Sequence, residues 1–301
     1  PMRVMSPRRI GRARRGWICR GCNFRSASAS PGYDALFVGG RVGAVIPFAG
    51  HGIINRETNT GYIVSQDGKK GAWGMSLGDI LALANNAYPK IKSSVIILDS
   101  CNSGYLGEIA ALGKDTSSLI ATGVTILTAS HREGKAAEGA RHGVFTEIVL
   151  DGLKGAASDI LGNITPAAIY ALVDQTLGPW GGQRPIYKAN VDSFITLRQV
   201  APKIPKEFLR RLPELFPDEA SEFKLDPTYE EARDNVPPEI MKIEPIDEHV
   251  AIFKGLQNCN RNGLVVPVDT EHMYYAAIES KSCRLTAIGA HYRKLAEEQR
   301  F

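Results

Sequence analysis

Two apolar segments, fifty residues apart in the sequence, each end in a short polar turn. This pair constrains the fold more than any other feature. Residues 44–46 lead through a proline and a phenylalanine to His51, which lies between two glycines, and residues 95–98 lead to a turn containing Cys101. Runs rich in β-branched residues are typical of buried strands. Parallel strands end at one edge of a sheet, where ligands bind in open α/β folds. The pattern therefore predicts an imidazole beside a thiol, the minimum for a thiol hydrolase.

The segment from 44 to 198 alternates between strand and helix signals. Further β-rich stretches lie at 61–65, 95–99, 124–128 and, as a closing strand, 193–197. Helical spacing of apolar residues covers 77–87, with Ser76 as the N-cap, and 144–153. Thr165 followed by Pro166 marks a further helix start. Strands separated by helices predict parallel βαβ units in an α/β fold.

Five short motifs occur in a fixed order along this segment. They are 48–52 around His51, 95–104 around Cys101, 126–130, 142–146 and 183–185. The ordered set resembles the caspase-like cysteine peptidases, and most closely the metacaspase and bacterial caspase-like branch, where the cysteine turn reads Asp-x-Cys-x-Ser-Gly. In caspases the histidine lies about 50 residues before the cysteine. The resemblance covers roughly 44 to 198 and implies a caspase-like, mostly parallel sheet flanked by helices.

The resemblance implies a cysteine-type endopeptidase, a hydrolase that works with a Cys–His dyad. Cys101 is the predicted nucleophile, and His51 is the general base that then protonates the leaving amine. The backbone N–H groups of Gly52 and Cys101 are the predicted oxyanion donors. The alternative for Cys101 is a buried structural thiol, and for His51 it is a turn or core histidine.

Two further residues are predicted to bind substrate. Asp99 lies two positions before Cys101, so its carboxylate shares a strand face with the thiol. In metacaspases the matching acid binds a basic residue before the cut, which implies cleavage after Arg or Lys, since a carboxylate pairs with guanidinium or ammonium. The alternative is a strand-end aspartate that caps the next turn. Ser130, at the end of the motif 126–130, is assigned to substrate binding by the resemblance.

The chain divides by composition into four parts. Residues 1–35 form a basic leader, with eight arginines and no acid among the first 26 residues. We favour a non-native beginning for it, and a disordered basic arm that contacts nucleic acid or membrane, or a transit-like segment, stay open. Residues 36–200 form the predicted peptidase domain. The family carries a strand–helix–strand unit before its histidine, so this part of the sheet is expected to be missing or replaced here.

The second half of the chain holds the other two parts. Eight prolines and an excess of acids over 201–246 predict a linker with short helices. Helix, strand and helix signals over 247–301 predict a small α+β module that is winged-helix-like. A basic tail in this module could contact DNA, although acids lie among its cations; the basic residues are Lys281, Arg284, Arg293 and Lys294.

Cysteine usage and hydropathy bound the compartment and the cofactors. Five sparse cysteines argue against a disulfide framework and for a reducing, cytoplasmic setting. Cys19 and Cys22 form half of a zinc site, but Cys259 and Cys283 do not form a second close pair, so we predict no metal. No cofactor is expected, although calcium activates many metacaspases. No apolar run approaches the roughly 18 residues of a membrane span.

Three functions therefore remain in view. The first is the endopeptidase, which acts on protein or peptide substrates, with a C-terminal module that binds a regulatory protein. The second is a catalytically inactive caspase-fold interaction module. The third is a regulator that binds DNA or protein through the C-terminal module.

Overall fold

A computed structural model of the chain describes residues 43–55, 57–58, 60–100, 120–129, 143–178, 185–232 and 236–301. The strands of this part are β1 Gly43–Ala49, β2 Gly52–Asn55, β3 Thr60–Lys69, β4 Ala72–Ser76, β5 Ser93–Asp99, β6 Val124–Thr128, β7 Asn163–Ile164, β8 Ile186–Asn190, β9 Arg198–Gln199, β10 Glu222–Lys224, β11 Val265–Val268 and β12 Ser282–Leu285. Its α-helices are α1 Leu77–Ala87, α2 Val144–Asp151, α3 Pro166–Leu177, α4 Lys206–Leu209, α5 Leu212–Leu215, α6 Pro238–Met241, α7 Asp247–Arg261, α8 Met273–Ile278 and α9 Ala287–Glu297.

The chain forms two compact units. The described part of unit 1 comprises residues 43–55, 57–58, 60–100, 120–129 and 185–193, and that of unit 2 comprises 143–178, 194–232 and 236–301. Unit 1 contains a four-stranded sheet in the order β1-β5-β6-β8, in which the first three strands are parallel and β8 is antiparallel to β6. An antiparallel sheet of β2, β3 and β4 follows β1 along the chain. The predicted α/β class with parallel strands is confirmed, while the caspase-like arrangement stays a prediction.

Helix α1 forms where its capping residue and apolar spacing predict it. The Ser76 hydroxyl accepts a hydrogen bond from the Asp79 N–H at 3.0 Å, which satisfies one of the free donors of the first turn. Leu77, Ile80, Leu81 and Ala84 are buried, which is the i, i+3, i+4, i+7 face. This face packs in one cluster with side chains of β5 and β6.

The closing strand of the sheet lies earlier in the chain than predicted. The strand is β8, Ile186–Asn190, which pairs with the whole of β6, and residues 193–197 form no strand. The prediction of a strand over 193–197 was therefore wrong. The apolar residues there do not reflect burial against a sheet, since the Phe194 side chain is 92% exposed. The ladder hydrogen bonds on that side of β6 are already taken by β8.

Unit 2 has its own hydrophobic core, and the proline-rich stretch contributes to it. Its three-stranded antiparallel sheet has the order β10-β12-β11. Residues from 201–246 and from 247–301 share one buried cluster, including Ile204, Leu212, Phe216, Leu225, Phe253, Leu256 and Leu264. The stretch predicted as a linker thus supplies both buried side chains and an edge strand to the C-terminal core.

The prolines of this stretch begin short helices and do not break a longer structure. Pro213 lies in the first turn of α5, and Pro238 in the first turn of α6. Pro227 begins a single 3₁₀ turn, Pro227–Tyr229, whose N-cap is Asp226. A proline is tolerated at these positions because the first N–H groups of a helix have no intrahelical partner. Proline density alone therefore overestimated the extent of irregular chain.

Most other elements of unit 2 confirm the sequence signals. The Thr165 hydroxyl caps α3 by accepting from the Ala168 N–H at 3.1 Å. Helix α2 buries the predicted face but ends at Asp151, where a π-helical turn, Gly152–Ala156, replaces the last predicted residues. The sequence predicts helices over 248–257, 271–280 and 287–298 and strands over 264–266 and 283–286, and α7, α8, α9, β11 and β12 lie within two residues of these bounds, except that α7 continues four residues further. Whether the module is winged-helix-like stays a prediction.

Gly289 in α9 is predicted to tolerate no side chain. A Cβ at this position would collide with the backbone carbonyl of Leu264, which cannot move freely because it also accepts from the Thr286 N–H at 2.9 Å. Gly289→Ala is therefore expected to lower the free energy of unfolding by about 1–3 kcal/mol, although alanine is favoured over glycine in helices by about 1 kcal/mol. Urea unfolding followed by circular dichroism measures the change.

Gly78 in α1 provides the matched substitution. It is exposed, and the nearest atom to an added Cβ is the Ser76 hydroxyl oxygen at 3.7 Å. Gly78→Ala is expected to leave stability unchanged or raise it by up to about 1 kcal/mol. Equal stability of the Gly289→Ala variant and the unmodified chain would contradict the close backbone contact.

Two thiols in the core of unit 2 should make the protein sensitive to alkali. Cys259 and Cys283 are buried, and burial raises the pKa of each thiol from 9.0 to about 12. The folded state therefore favours the neutral thiol, whereas the unfolded chain ionises above pH 9. The stabilisation is fully present below pH 9 and is lost between pH 9 and 12, at about 1.4 kcal/mol per thiol and pH unit.

The contribution of one thiol can be isolated by substitution. The pKa values of Tyr229 and Tyr292 are also raised by burial, so their effect has the same sign. Denaturant unfolding at pH 8, 9 and 10 should show a slope of stability against pH that is smaller in Cys283→Ala by about 1.4 kcal/mol per unit above pH 9. Identical slopes in the two proteins would contradict a thiol that stays neutral in the fold.

Candidate functional site

The ends of three parallel strands of unit 1 meet at one edge of its sheet. Ala49, the last residue of β1, pairs with Asp99, the last residue of β5. The ladder continues past both strand ends, because the Gly50 N–H donates to the Asp99 carbonyl oxygen at 3.0 Å. On the other side of β5, the Ala129 N–H after β6 donates to the Leu98 carbonyl oxygen at 2.8 Å. The edge thus gathers the three places where the sequence predicts site residues.

His51 lies in the turn between the two sheets of unit 1, and its side chain is exposed. The backbone around it is held on two sides. Gly50 is bonded to β5 as described, and the carbonyl oxygen of His51 accepts from the Val64 N–H at 2.9 Å. A fixed backbone with an exposed imidazole suits a group that exchanges protons with a substrate or with solvent.

Gly52 begins β2 directly after His51 and lies opposite Ile63 of β3. Hydrogen-bonded and non-hydrogen-bonded pairs alternate along antiparallel strands. The bond from Val64 to His51 makes the Gly52–Ile63 pair a non-hydrogen-bonded one. The N–H of Gly52 therefore points away from β3, into the space beside the edge strand β2.

Asp99 and Ser100 end the buried strand of the site. The side chains of both residues are buried, Asp99 at 7% exposure and Ser100 at 2%, and every residue of β5 is buried. Cys101 follows Ser100 directly in the sequence and lies outside the described residues, as does Ser130 after Ala129. The predicted roles of His51, Gly52, Asp99, Cys101 and Ser130 stay predictions.

Several other sequence hypotheses also fall outside the described residues. They are the basic leader with Cys19 and Cys22, the first residue of the motif 142–146, and the first two residues of the motif 183–185. Among the described residues, no group of three or more His, Cys, Asp or Glu side chains is arranged to hold a metal ion. Within the same residues, every helix is too short or too polar to cross a membrane.

The predicted basic tail of unit 2 is not one continuous cationic surface. Arg293 is buried at 7% exposure and donates to the carbonyl oxygens of Phe216 and Pro217. Lys281 contacts the Glu279 carboxylate at 2.7 Å. One of the four basic residues is thus committed to the fold, and a second is paired with an acid, which weakens the case for a DNA contact here.

The sequence did not predict the contacts of three groups near the carboxyl ends of β1 and β5. They are the ring of Phe48, the N–H of Gly50 and the N–H of Val64, all of which contact the turn of His51 or hold it in place. The apolar run 44–48 predicts a strand that includes Phe48, but the run does not indicate which neighbour the ring contacts. The two backbone bonds follow from the pairing of β1 with β5 and of β2 with β3, and the ring contact follows from the side-chain conformation of Phe48.

A scan against models of protein families finds no match, and a search of curated proteins finds no significant match.

Proposed function

We propose that this chain is a cysteine endopeptidase in which Cys101 attacks a peptide carbonyl and His51 shuttles the proton. The observation that carries the proposal is the register of β1 and β5. Ala49 and Asp99 are partners, and Gly50 is bonded to Asp99. His51 and Cys101 therefore follow neighbouring strand ends at equal sequence distance. Neighbouring strands lie about 4.8 Å apart, which is within side-chain reach of a thiol–imidazole hydrogen bond.

The mechanism follows from the groups at this edge. The thiol proton of Cys101 passes to His51 while the sulfur bonds to the carbonyl carbon, and the oxyanion accepts from the N–H groups of Gly52 and Cys101. The carbon–nitrogen bond then breaks, and the His51 proton goes to the leaving amine. Water attacks the thioester carbon and gives a proton to His51. The carbon–sulfur bond then breaks, the carboxylic acid leaves, and His51 returns the proton to the sulfur of Cys101. The outward direction of the Gly52 N–H supports its part in this scheme.

Asp99 is proposed to select substrates with Arg or Lys before the scissile bond. Asp99 lies at the end of the buried strand β5, two residues before Cys101, and the matching acid of metacaspases binds a basic residue before the cut. A guanidinium or ammonium group is the natural complement. The substrates are accordingly proteins or peptides, and unit 2 is proposed to dock a regulatory protein.

The test is hydrolysis of fluorogenic peptides that differ only in Arg, Lys or Asp before the cut, with and without calcium. The purified chain should cleave the peptides after Arg and Lys. Cys101→Ala should lower the rate of this cleavage by at least about 10³-fold. Asp99→Asn should lower kcat/KM for the Arg peptide by about 10–150-fold. This factor corresponds to the loss of about 1.5–3 kcal/mol, the usual contribution of a hydrogen bond to a charged group. A preference for Asp peptides would overturn the assignment of Asp99.

A thiol elsewhere in the chain provides the control. Cys259→Ala removes a buried sulfur from unit 2 and should retain turnover, provided that circular dichroism shows a folded protein. Absence of Cys101-dependent turnover in the folded, unmodified chain, with calcium present, would overturn the peptidase and leave the catalytically inactive interaction module.

A further inference from the structure

The turn that carries His51 rests on an aromatic ring. Gly50 lies so close to Phe48 that an added Cβ would be 3.0 Å from Cζ, 3.4 Å from Cε1 and 3.6 Å from Cε2 of the ring. These three atoms form the far end of the side chain. The tip of the ring is therefore in contact with the backbone of Gly50, one residue before His51.

The ring of Phe48 is itself held by the core of unit 1. Phe48 pairs with Leu98 in the sheet and packs against the cluster formed by α1, β5 and β6. Close packing of this kind transmits small displacements, since interiors have few voids into which a side chain can move. Replacing the ring by a shorter side chain would leave a gap directly under the Gly50 backbone.

Two backbone hydrogen bonds complete the support of the turn. They are the bond from Gly50 to the Asp99 carbonyl oxygen, at 3.0 Å, and the bond from Val64 to the His51 carbonyl oxygen, at 2.9 Å. Hydrogen bonds between strands act within the sheet, and the ring adds a contact from the side that packs against the cluster. The three contacts together hold the backbone while leaving the imidazole exposed.

We propose that Phe48 is a positioning residue that holds the His51 turn in its working geometry, an inference that rests on the proposed peptidase for its catalytic consequence. A misplacement of about 1 Å at a reacting group can cost about 100-fold in rate. Phe48→Leu is therefore expected to lower kcat by about 10–100-fold and to change KM less than about twofold, because Phe48 contacts the turn that carries the base.

The experiment compares three variants of β1 by kinetics and by amide hydrogen exchange. Phe48→Leu removes the ring tip, Phe48→Met restores most of its reach, and Ile46→Ala removes a side chain that packs against the same cluster two residues earlier. The exchange ratio is the rate of amide exchange at the Gly50 N–H divided by the rate at the amides of β5. A general loosening of the sheet raises both rates and therefore leaves this ratio unchanged. Phe48→Leu should raise this ratio about tenfold or more, and Phe48→Met and Ile46→Ala should leave it within about threefold.

The two readouts separate the failure of this inference from the failure of the proposed function. An unchanged exchange ratio in Phe48→Leu, or equal loss of kcat in Phe48→Leu and Ile46→Ala, would overturn the positioning role. If the unmodified chain shows no Cys101-dependent turnover, the peptidase fails, while the exchange ratio still decides whether Phe48 holds the turn.

Discussion

His51→Ala is expected to lower kcat for peptide hydrolysis by about 10²–10⁴-fold, the usual contribution of a general acid–base group. The fold should be unaffected, because the His51 side chain is exposed and the two hydrogen bonds at its turn are made by backbone atoms. Substitutions at such exposed positions usually change stability by less than about 0.5 kcal/mol. Steady-state kinetics on Arg peptides and urea unfolding of the same preparation measure both quantities.

His272→Ala provides the matched control for this prediction. His272 is also exposed, but it lies in unit 2, before α8, where no catalytic role is proposed. Its replacement should leave both kcat and stability unchanged. Full activity of His51→Ala would show that another group takes the thiol proton, and loss of stability in this variant would show that the imidazole has a structural role instead.

Arg293→Met is expected to lower the free energy of unfolding of the protein by about 2–5 kcal/mol, because leaving a buried polar group without its partner costs about 1–3 kcal/mol and two carbonyl groups lose their donor. The guanidinium of Arg293 binds three groups at once. Its Nε donates to the Phe216 carbonyl oxygen at 2.5 Å, one Nη donates to the Pro217 carbonyl oxygen, and the other contacts the Glu297 carboxylate at 3.0 Å. Methionine fills a similar volume but leaves two main-chain carbonyl groups without their donor.

Two further arginine variants sharpen this test. Arg293→Lys retains the charge but presents an ammonium in place of the planar fork, so we expect an intermediate loss. Arg300 is 68% exposed and contacts Glu298 at 3.2 Å, so Arg300→Met should cost less than about 1 kcal/mol. Urea unfolding of the three variants measures the differences. Equal stability of Arg293→Met and Arg300→Met would contradict a structural role for the buried guanidinium.

Helices were predicted closely where their signals are local. Ser76 and Thr165 cap α1 and α3 through their own hydroxyl groups, and both helices begin at the predicted residue. The closing strand was misplaced because strand pairing is a long-range property. Residues 186–190 and 193–197 are both plausible strands locally, and only the pairing with β6 distinguishes them.

The candidate site was predictable in part for the same reason. Apolar runs that end at His51 and before Cys101 indicated two strand ends at one sheet edge, and the register of β1 and β5 agrees with that expectation. The contact of Phe48 with Gly50 was not predictable. It joins residues whose proximity depends on the side-chain conformation and on how the strand bends into the turn.

Local sequence signals were sufficient to predict the α/β class, the capped helices and the order in which the candidate site residues follow the strands, because these depend on neighbours within a few positions. The tertiary structure alone decided which way the Gly52 N–H points, that the proline-rich stretch joins a core, and that Arg293 binds carbonyl groups in place of a ligand. Each of these features depends on contacts between residues that are distant in the chain. The free energies of such contacts cannot be predicted from a local sequence pattern.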